Sequence, residues 1–366
     1  MLRRTLVVTI ILLAILSDAD AQVNKYANAF LDIGLGARAL GMSNAVVASS
    51  ADVTSAFWNP AGLVDMQRDV QVGFMHNEHF AGIVKFDYGG IGVKFNEKSA
   101  GAFTFIRSGV DDIPNTLELI DANGNVDYDR VKSFSAADYA FMFTYARTIP
   151  KIKGFSYGGS VKVIYRHIGE FGSGWGFGFD FGLRYKLKEW SFAAMLRDAT
   201  STITNFSYNT EKFRLVFTAT GNEVISSSTE IAVPRLVLAA SHKFNLPKNF
   251  RILTEIDVAM TTDGRRNVLI PAGPVSFDPM VGVEFEYNDL VFIRGGVGRF
   301  QYLKDPNGGK NVTALPTIGL GFKYWGISVD YTLANFGNEI IGLSHIFSLR
   351  VDFFKKKKEV EQPQTP

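Results

Sequence analysis

The chain of 366 residues has no cysteine, a formal net charge of +2, 35 glycines, 31 phenylalanines and 13 tyrosines, and only 20% of its residues are charged. Disulfides and thiolate-based metal or nucleophile sites are thereby excluded, and the near-neutral balance gives no basis for a nucleic-acid partner. Abundant strand-favouring aromatics beside turn-forming glycine point to an all-β chain.

Residues 1–21 carry Arg3-Arg4, an apolar run from Leu6 to Leu16, and Ala19-Asp20-Ala21 before Gln22. This is the layout of a secretory signal peptide, so the chain is expected to be exported. No later stretch approaches the roughly 18 uninterrupted apolar residues that a membrane-crossing helix needs.

Residues 22–67 lack period-two alternation and read as short helices and turns. At and just before "SAFWNPAGL" (residues 55–63), Asp52 is placed to cap a helix over 53–57, and Asn59 to cap a second one that starts at Pro60. Asn59 precedes a proline, which excludes helical geometry there and bends the chain.

From residue 69 onward the sequence alternates. In 176–187, Phe177, Phe179, Phe181, Leu183, Tyr185 and Leu187 share one face, against Gly176, Gly178, Asp180, Gly182, Arg184 and Lys186 on the other. Residues 280–287, 316–324 and 342–353 repeat the split. A soluble sandwich and a transmembrane barrel both produce such alternation. Loop lengths separate them. About fourteen strands are expected, at 70–76, 81–95, 101–109, 136–148, 155–168, 175–187, 190–199, 233–244, 250–260, 279–287, 290–300, 315–324, 326–334 and 341–353. Every even-numbered connection is short, whereas the long ones, 110–135, 200–232, 261–278 and 301–314, are all odd-numbered and share one rim. That asymmetry favours an outer-membrane β-barrel over 68–354, closed because lipid cannot satisfy an unpaired sheet edge. A segment preceding a barrel has few places to bury Phe57, Trp58 and Leu63 except the lumen, so 22–67 reads as a hatch. Residues 355–366, with Lys355–Lys358, read as a polar periplasmic tail. Contact of these lysines with anionic lipid or a partner is the alternative.

The hatch region adds a resemblance. "GLGARALGMSNAVVASSADVTSAFWNPAGL" (residues 34–63) resembles the N-terminal signature of the PorV/PorQ family of outer-membrane proteins, related to the FadL-type barrels that import hydrophobic molecules. "FAGIVKFDYG" (80–89), "VDDIPNT" (110–116), "SFSAADYAF" (133–141) and "HIFSLRVDF" (345–353) are similar to the same family, so the resemblance spans nearly the whole mature chain. It implies a fourteen-strand barrel plugged by an N-terminal hatch. It also implies a role beside the type IX secretion apparatus, shuttling signal-bearing cargo or joining the attachment machinery.

Other motifs weigh less. Gly34-x-Gly36-x-x-Ala39 matches a dinucleotide fingerprint, which has meaning only between a strand and a helix of a βαβ unit; packing within the hatch is the plainer reading. His76 and His79 flank an expected outer turn without a convincing ligand spacing, and read as exposed rim polarity. Ser344-His345 pairs a hydroxyl with an imidazole, but neighbours on a strand face opposite ways, so no hydrolase is expected. The lumenal charges Lys162, Arg166, Asp180, Arg184, Arg197, Glu255, Asp257, Glu284, Glu286, Asp330 and Arg350 carry both signs. They are expected to pair with one another and with hatch residues such as Arg38 and Asp52, because a buried charge without a partner is costly; a polar path opened by hatch movement is the alternative. The hatch motif itself is Arg38, Asp52, Trp58, Asn59, Pro60 and Gly62.

The reading that follows is a non-enzymatic outer-membrane barrel without metal or cofactor, associated with type IX secretion. Its expected partners are translocon components or secreted cargo, outer-membrane lipid, and the barrel-assembly machinery during biogenesis. The alternative is a FadL-like transporter of hydrophobic small molecules.

Overall fold

The computed structural model describes residues 27–121, 123–304, 309–335 and 343–354. The stretch expected to be a signal peptide and the lysine tail lie outside the described residues. Fourteen strands form the wall: β1 Val70–His79, β2 Val84–Asn96, β3 Ser99–Asn115, β4 Lys132–Thr148, β5 Phe155–Ile168, β6 Gly172–Leu187, β7 Trp190–Arg197, β8 Arg235–Asn245, β9 Phe250–Thr261, β10 Ser276–Tyr287, β11 Val291–Lys304, β12 Lys310–Tyr324, β13 Ile327–Ala334 and β14 Ser344–Phe353. Each pairs antiparallel with its sequence neighbour. The ring closes where β14 meets β1, with Val72 opposite Val351 and Phe74 opposite Leu349. The chain is a closed fourteen-strand antiparallel barrel.

Alternation decides what the wall presents. On β6, β10 and β12 the outward residues Phe177, Phe179, Phe181, Phe285, Ile318, Leu320 and Phe322 are 43–60% exposed, while Asp180, Arg184, Glu284 and Glu286 between them are buried. An apolar band continued around a barrel far exceeds the patches of a few hundred Å² that soluble monomers tolerate, and it matches the lipid-facing belt of a transmembrane barrel. At one end of that band Tyr139 stacks on Tyr165, and Trp175 packs tilted against Tyr165.

The strands outrun the alternation that marks them in sequence. β3 and β4 continue pairing to Asn115 and Lys132 past a register shift between Val110 and Ile113, so both ends of the expected loop 110–135 are strand. The expected loop 301–314 contracts to the short connection between β11 and β12, again past a shift, at Gly298/Gln301. The segment between β7 and β8 contains a hairpin, Thr202–Tyr208 with Ser227–Ala232, around a helix over Thr210–Thr220. The reason is physical: period-two alternation lasts only while one face meets lipid, whereas backbone pairing can continue into water.

Residues 27–66 run through the lumen from the long-loop end, where Asp32 meets Arg235, to the short-turn end, where Asp65 meets Lys186. Their apolar side chains, including Leu35, Leu40, Met42, Val46, Phe57 and Trp58, form the core with wall residues Met75, Phe86, Ile106, Met142, Met195 and Leu253. The core thus lies between this segment and the wall, inside the barrel.

Candidate functional site

The bend in the lumenal segment is built by three side-chain hydrogen bonds. Asn59 adopts extended geometry (φ −158°, ψ 106°) ahead of a 3-10 helix, Pro60–Asp65, with proline at its first position. Its carbonyl oxygen accepts from Ala61 N at 3.1 Å, and its amide donates to the carbonyls of Val47 and of Leu183 on β6, each at 3.1 Å. The wall makes room for it: a Cβ on Gly182 would sit 2.1 Å from Asn59 Oδ1, and one on Gly158 would collide with Pro60. Gly62 is equally crowded, since a Cβ there would lie 2.4 Å from Ser50 O. The preceding helix is Ser55–Trp58 with Thr54, not Asp52, at its N-cap. Asp52 instead accepts from Thr54 N and Oγ1 and pairs with Arg350 at 2.6 Å.

Around this bend the lumenal charges sort into closed sets. Arg38 binds Glu284 through Nε and Nη2 at 2.9 and 3.2 Å, and Arg294 links the same Glu284 to Asp330, each at 2.6 Å. Lys162 lies between Asp180 at 3.0 Å and Asp198 at 2.6 Å. Arg184 donates to the carbonyls of Ser50 and Gly62 and pairs with Asp65. Glu255 Oε1 accepts from the amides of Ala48 and Ser49, and Asp257 Oδ2 from those of Val46 and Val47. Two members lie apart from the lumenal segment. Arg166 binds Asp138 and Glu230, which ties the loop hairpin to the wall, and Glu286 pairs with Arg251. Burial by itself would raise the Asp52 carboxyl, but the Arg350 guanidinium, the Thr54 hydroxyl and Arg38 outweigh it and hold it below the ordinary carboxylate value.

His76 contacts Asp87 at 2.7 Å in an exposed position. His79 is not rim polarity: it points inward, is buried, and meets Asn77 at 2.8 Å. Its odd position in β1 put it on the lumenal face. Ser344 is buried while His345 faces outward against the Tyr331 hydroxyl. The Gly34–Ala39 run enters a five-residue helix, Ala37–Gly41, inside an antiparallel barrel.

The lumen also holds a chamber. On the long-loop side of the bend, a cavity of about 290 Å³ is walled by Leu31, Ile33, Val47, Trp58, Val237, Ala259 and Met280, with Asp32, Arg197, Arg235, Arg266, Asp278 and Arg299 around them. A smaller space adjoins it past Phe57 and Met142, sharing Leu31, Asp32, Arg197, Arg235 and Arg266. Asp32, itself exposed, is paired with Arg235 at 2.5 Å, and the guanidinium beside it holds the carboxyl below its usual range. Arg299 donates to the carbonyls of Asp32 and Ile33, and Arg266 clasps Asp263. Arg197 differs. It is 8% exposed, has no carboxylate within ion-pair distance among the described residues, and rests over the rings of Phe57 at 4.4 Å and Trp58 at 5.3 Å. Its lumenal position was readable from the alternation of β7, but its lack of a partner was not. Asp32, in a stretch with no periodicity, gave no signal.

No family model matches the sequence, and no curated protein matches it. Solved structures do share the fold. CymD, a monoaromatic hydrocarbon channel, superposes with a TM-score of 0.56 at 14% identity over 88% of this chain and 98% of its own. The toluene transporter TodX of P. putida gives 0.56 at 13% identity over 88% and 99%, and the toluene transporter TbuX of Ralstonia pickettii 0.53 at 11% over 87% and 98%. The likeness is one of fold. These neighbours are channels and transporters.

Proposed function

We propose that the protein is an outer-membrane transporter for hydrophobic small molecules that carry one anionic group, with the segment before β1 as its hatch. The observation that carries this reading is the chamber with Arg197. Its apolar walls suit a greasy body, and a buried guanidinium that rests on aromatic faces, with no carboxylate within ion-pair distance among the described residues, suits a carboxylate or similar head, since cation–π contacts leave its N–H donors open to an anion. The fold shared with hydrocarbon channels and toluene transporters supports passage of hydrophobic cargo, and the apolar belt supports residence in the outer membrane with the long connections outward.

Binding of decanoate to the detergent-solubilised barrel tests it. Arg197→Leu removes a charge-assisted hydrogen bond worth about 1.5–3 kcal/mol, so affinity should fall roughly ten- to hundredfold while any binding of toluene is kept. Equal decanoate affinity in both proteins sinks the reading. The type IX reading rests on the sequence resemblance of residues 34–63 and the segments quoted with it. Recovery of translocon components or cargo with the tagged barrel, absent from a control barrel, supports that role.

A further inference from the structure

Glu255 and Asp257 lie two residues apart on β9 and so face the same way, into the lumen; they are 2% and 0% exposed. Together they receive the four amides of residues 46–49, one carboxyl oxygen serving two amides in each case. The remaining oxygens, Glu255 Oε2 and Asp257 Oδ1, are buried and have no hydrogen-bond donor. Because consecutive amides of one short segment go to the two side chains, the carboxyl groups lie side by side on the same face, with the Ser49 hydroxyl beside Glu255, and no cation lies within ion-pair distance of either among the described residues.

The surroundings do not supply one. From the lumenal segment, Arg38 faces Glu255 but is committed to Glu284. From β6, Arg184 also faces it but is committed to Ser50, Gly62 and Asp65. On the flanking strands, the positions opposite Glu255 are Ser241 of β8 and Gly282 of β10, and those opposite Asp257 are Ala239 and Met280. The nearest charges beyond these, each two residues further along, are Lys243 and Glu284 on the Glu255 side and the Asp278 carboxyl on the Asp257 side, which adds a third acid and no cation. Two adjacent acceptors in a buried site, each short of a donor, are completed by a single hydrogen between them, and two bare carboxylates there would repel at low dielectric.

We propose that Glu255 and Asp257 hold one proton between them, and that this shared proton fastens residues 46–49 to the barrel wall, so that its loss at high pH frees this part of the lumenal segment. The inference does not depend on what the barrel carries. The proton belongs to the pair, not to either residue. Asp257→Asn fixes the bonded state permanently: its amide donates to Glu255, and its carbonyl still accepts from Val46 and Val47. Glu255→Gln does the same from the other side.

Hydrogen–deuterium exchange of the full chain in detergent reads the outcome, with rates corrected for intrinsic pH dependence. Between about pH 6 and about pH 9, protection of residues 46–49 in the wild type should fall at least about tenfold, with the strand amides of β9 unchanged. Either amide variant should remove that fall. A wild-type protection flat across this range overturns the proposal, and so does the same fall in a folded amide variant. The wild-type series stands alone if neither variant folds.

Discussion

Asn59→Ala tests whether the bend in the lumenal segment is held locally or merely confined by the wall. The side chain is 0% exposed and makes three hydrogen bonds, to Val47, Leu183 and Ala61. Truncation removes one bond from each of two carbonyls and one N–H where water has little access. At about 1 kcal/mol per bond, the loss is ~3 kcal/mol, and more if none of the orphaned groups is rehydrated. That corresponds to about a hundredfold rise in the local opening constant. The barrel keeps its own backbone pairing, so the effect is confined to residues 34–66. Limited proteolysis of the detergent-solubilised protein should therefore cut this segment far faster in the variant, while the barrel's heat-modifiable migration on gels stays as in the wild type. Unchanged cutting at 34–66 refutes the assignment of these bonds as the anchor. Loss of barrel migration would instead show that segment and wall fold as one unit.

Three other substitutions probe separate terms. Gly182→Ala places a methyl 2.1 Å from Asn59 Oδ1, so it should expose the same segment to protease without deleting any hydrogen-bonding group; wild-type resistance would mean that the wall yields. Because the folded Asp52 carboxyl is depressed, the stability it contributes is fully present above the ordinary carboxylate value of about 4 and is lost as pH falls through the folded value. Thermal melts should thus show a steeper acid loss in the wild type than in Asp52→Asn, and identical slopes would remove Asp52 from the account. Phe179→Arg, on the outward face of β6, should destabilise the barrel by about 2–4 kcal/mol if that position lies near the bilayer midplane. Measured by denaturant titration in lipid, a neutral effect would contradict lipid contact there.

The wall was legible because its signal is local. Each strand must alternate between lipid and lumen, so Phe177 through Leu187 declared both faces without reference to any neighbour, as did Val281, Phe285 and Tyr287 against Glu284 and Glu286. Asn59-Pro60 likewise declared its bend, since proline restricts the residue before it whatever the surroundings. Strand ends were less legible. β3, β4, β11 and β12 keep pairing beyond the apolar belt, where both faces meet water and no alternation is required. His79 was misjudged because a turn nearby suggested exposure, although its parity in β1 placed it inside.

Sequence by itself thus determined the all-β class, the fourteen alternating strands and the sign and side of the lumenal charges, because side-chain direction along a strand follows from position alone. Tertiary structure alone decided who pairs with whom. Arg38 reaches Glu284 across 246 residues, Glu255 and Asp257 gather four amides from more than two hundred residues away, and Arg197 is left with aromatic rings in place of a carboxylate. Such choices depend on how the barrel closes and how the lumenal segment threads it, and no local pattern encodes a distance between residues so far apart in the chain.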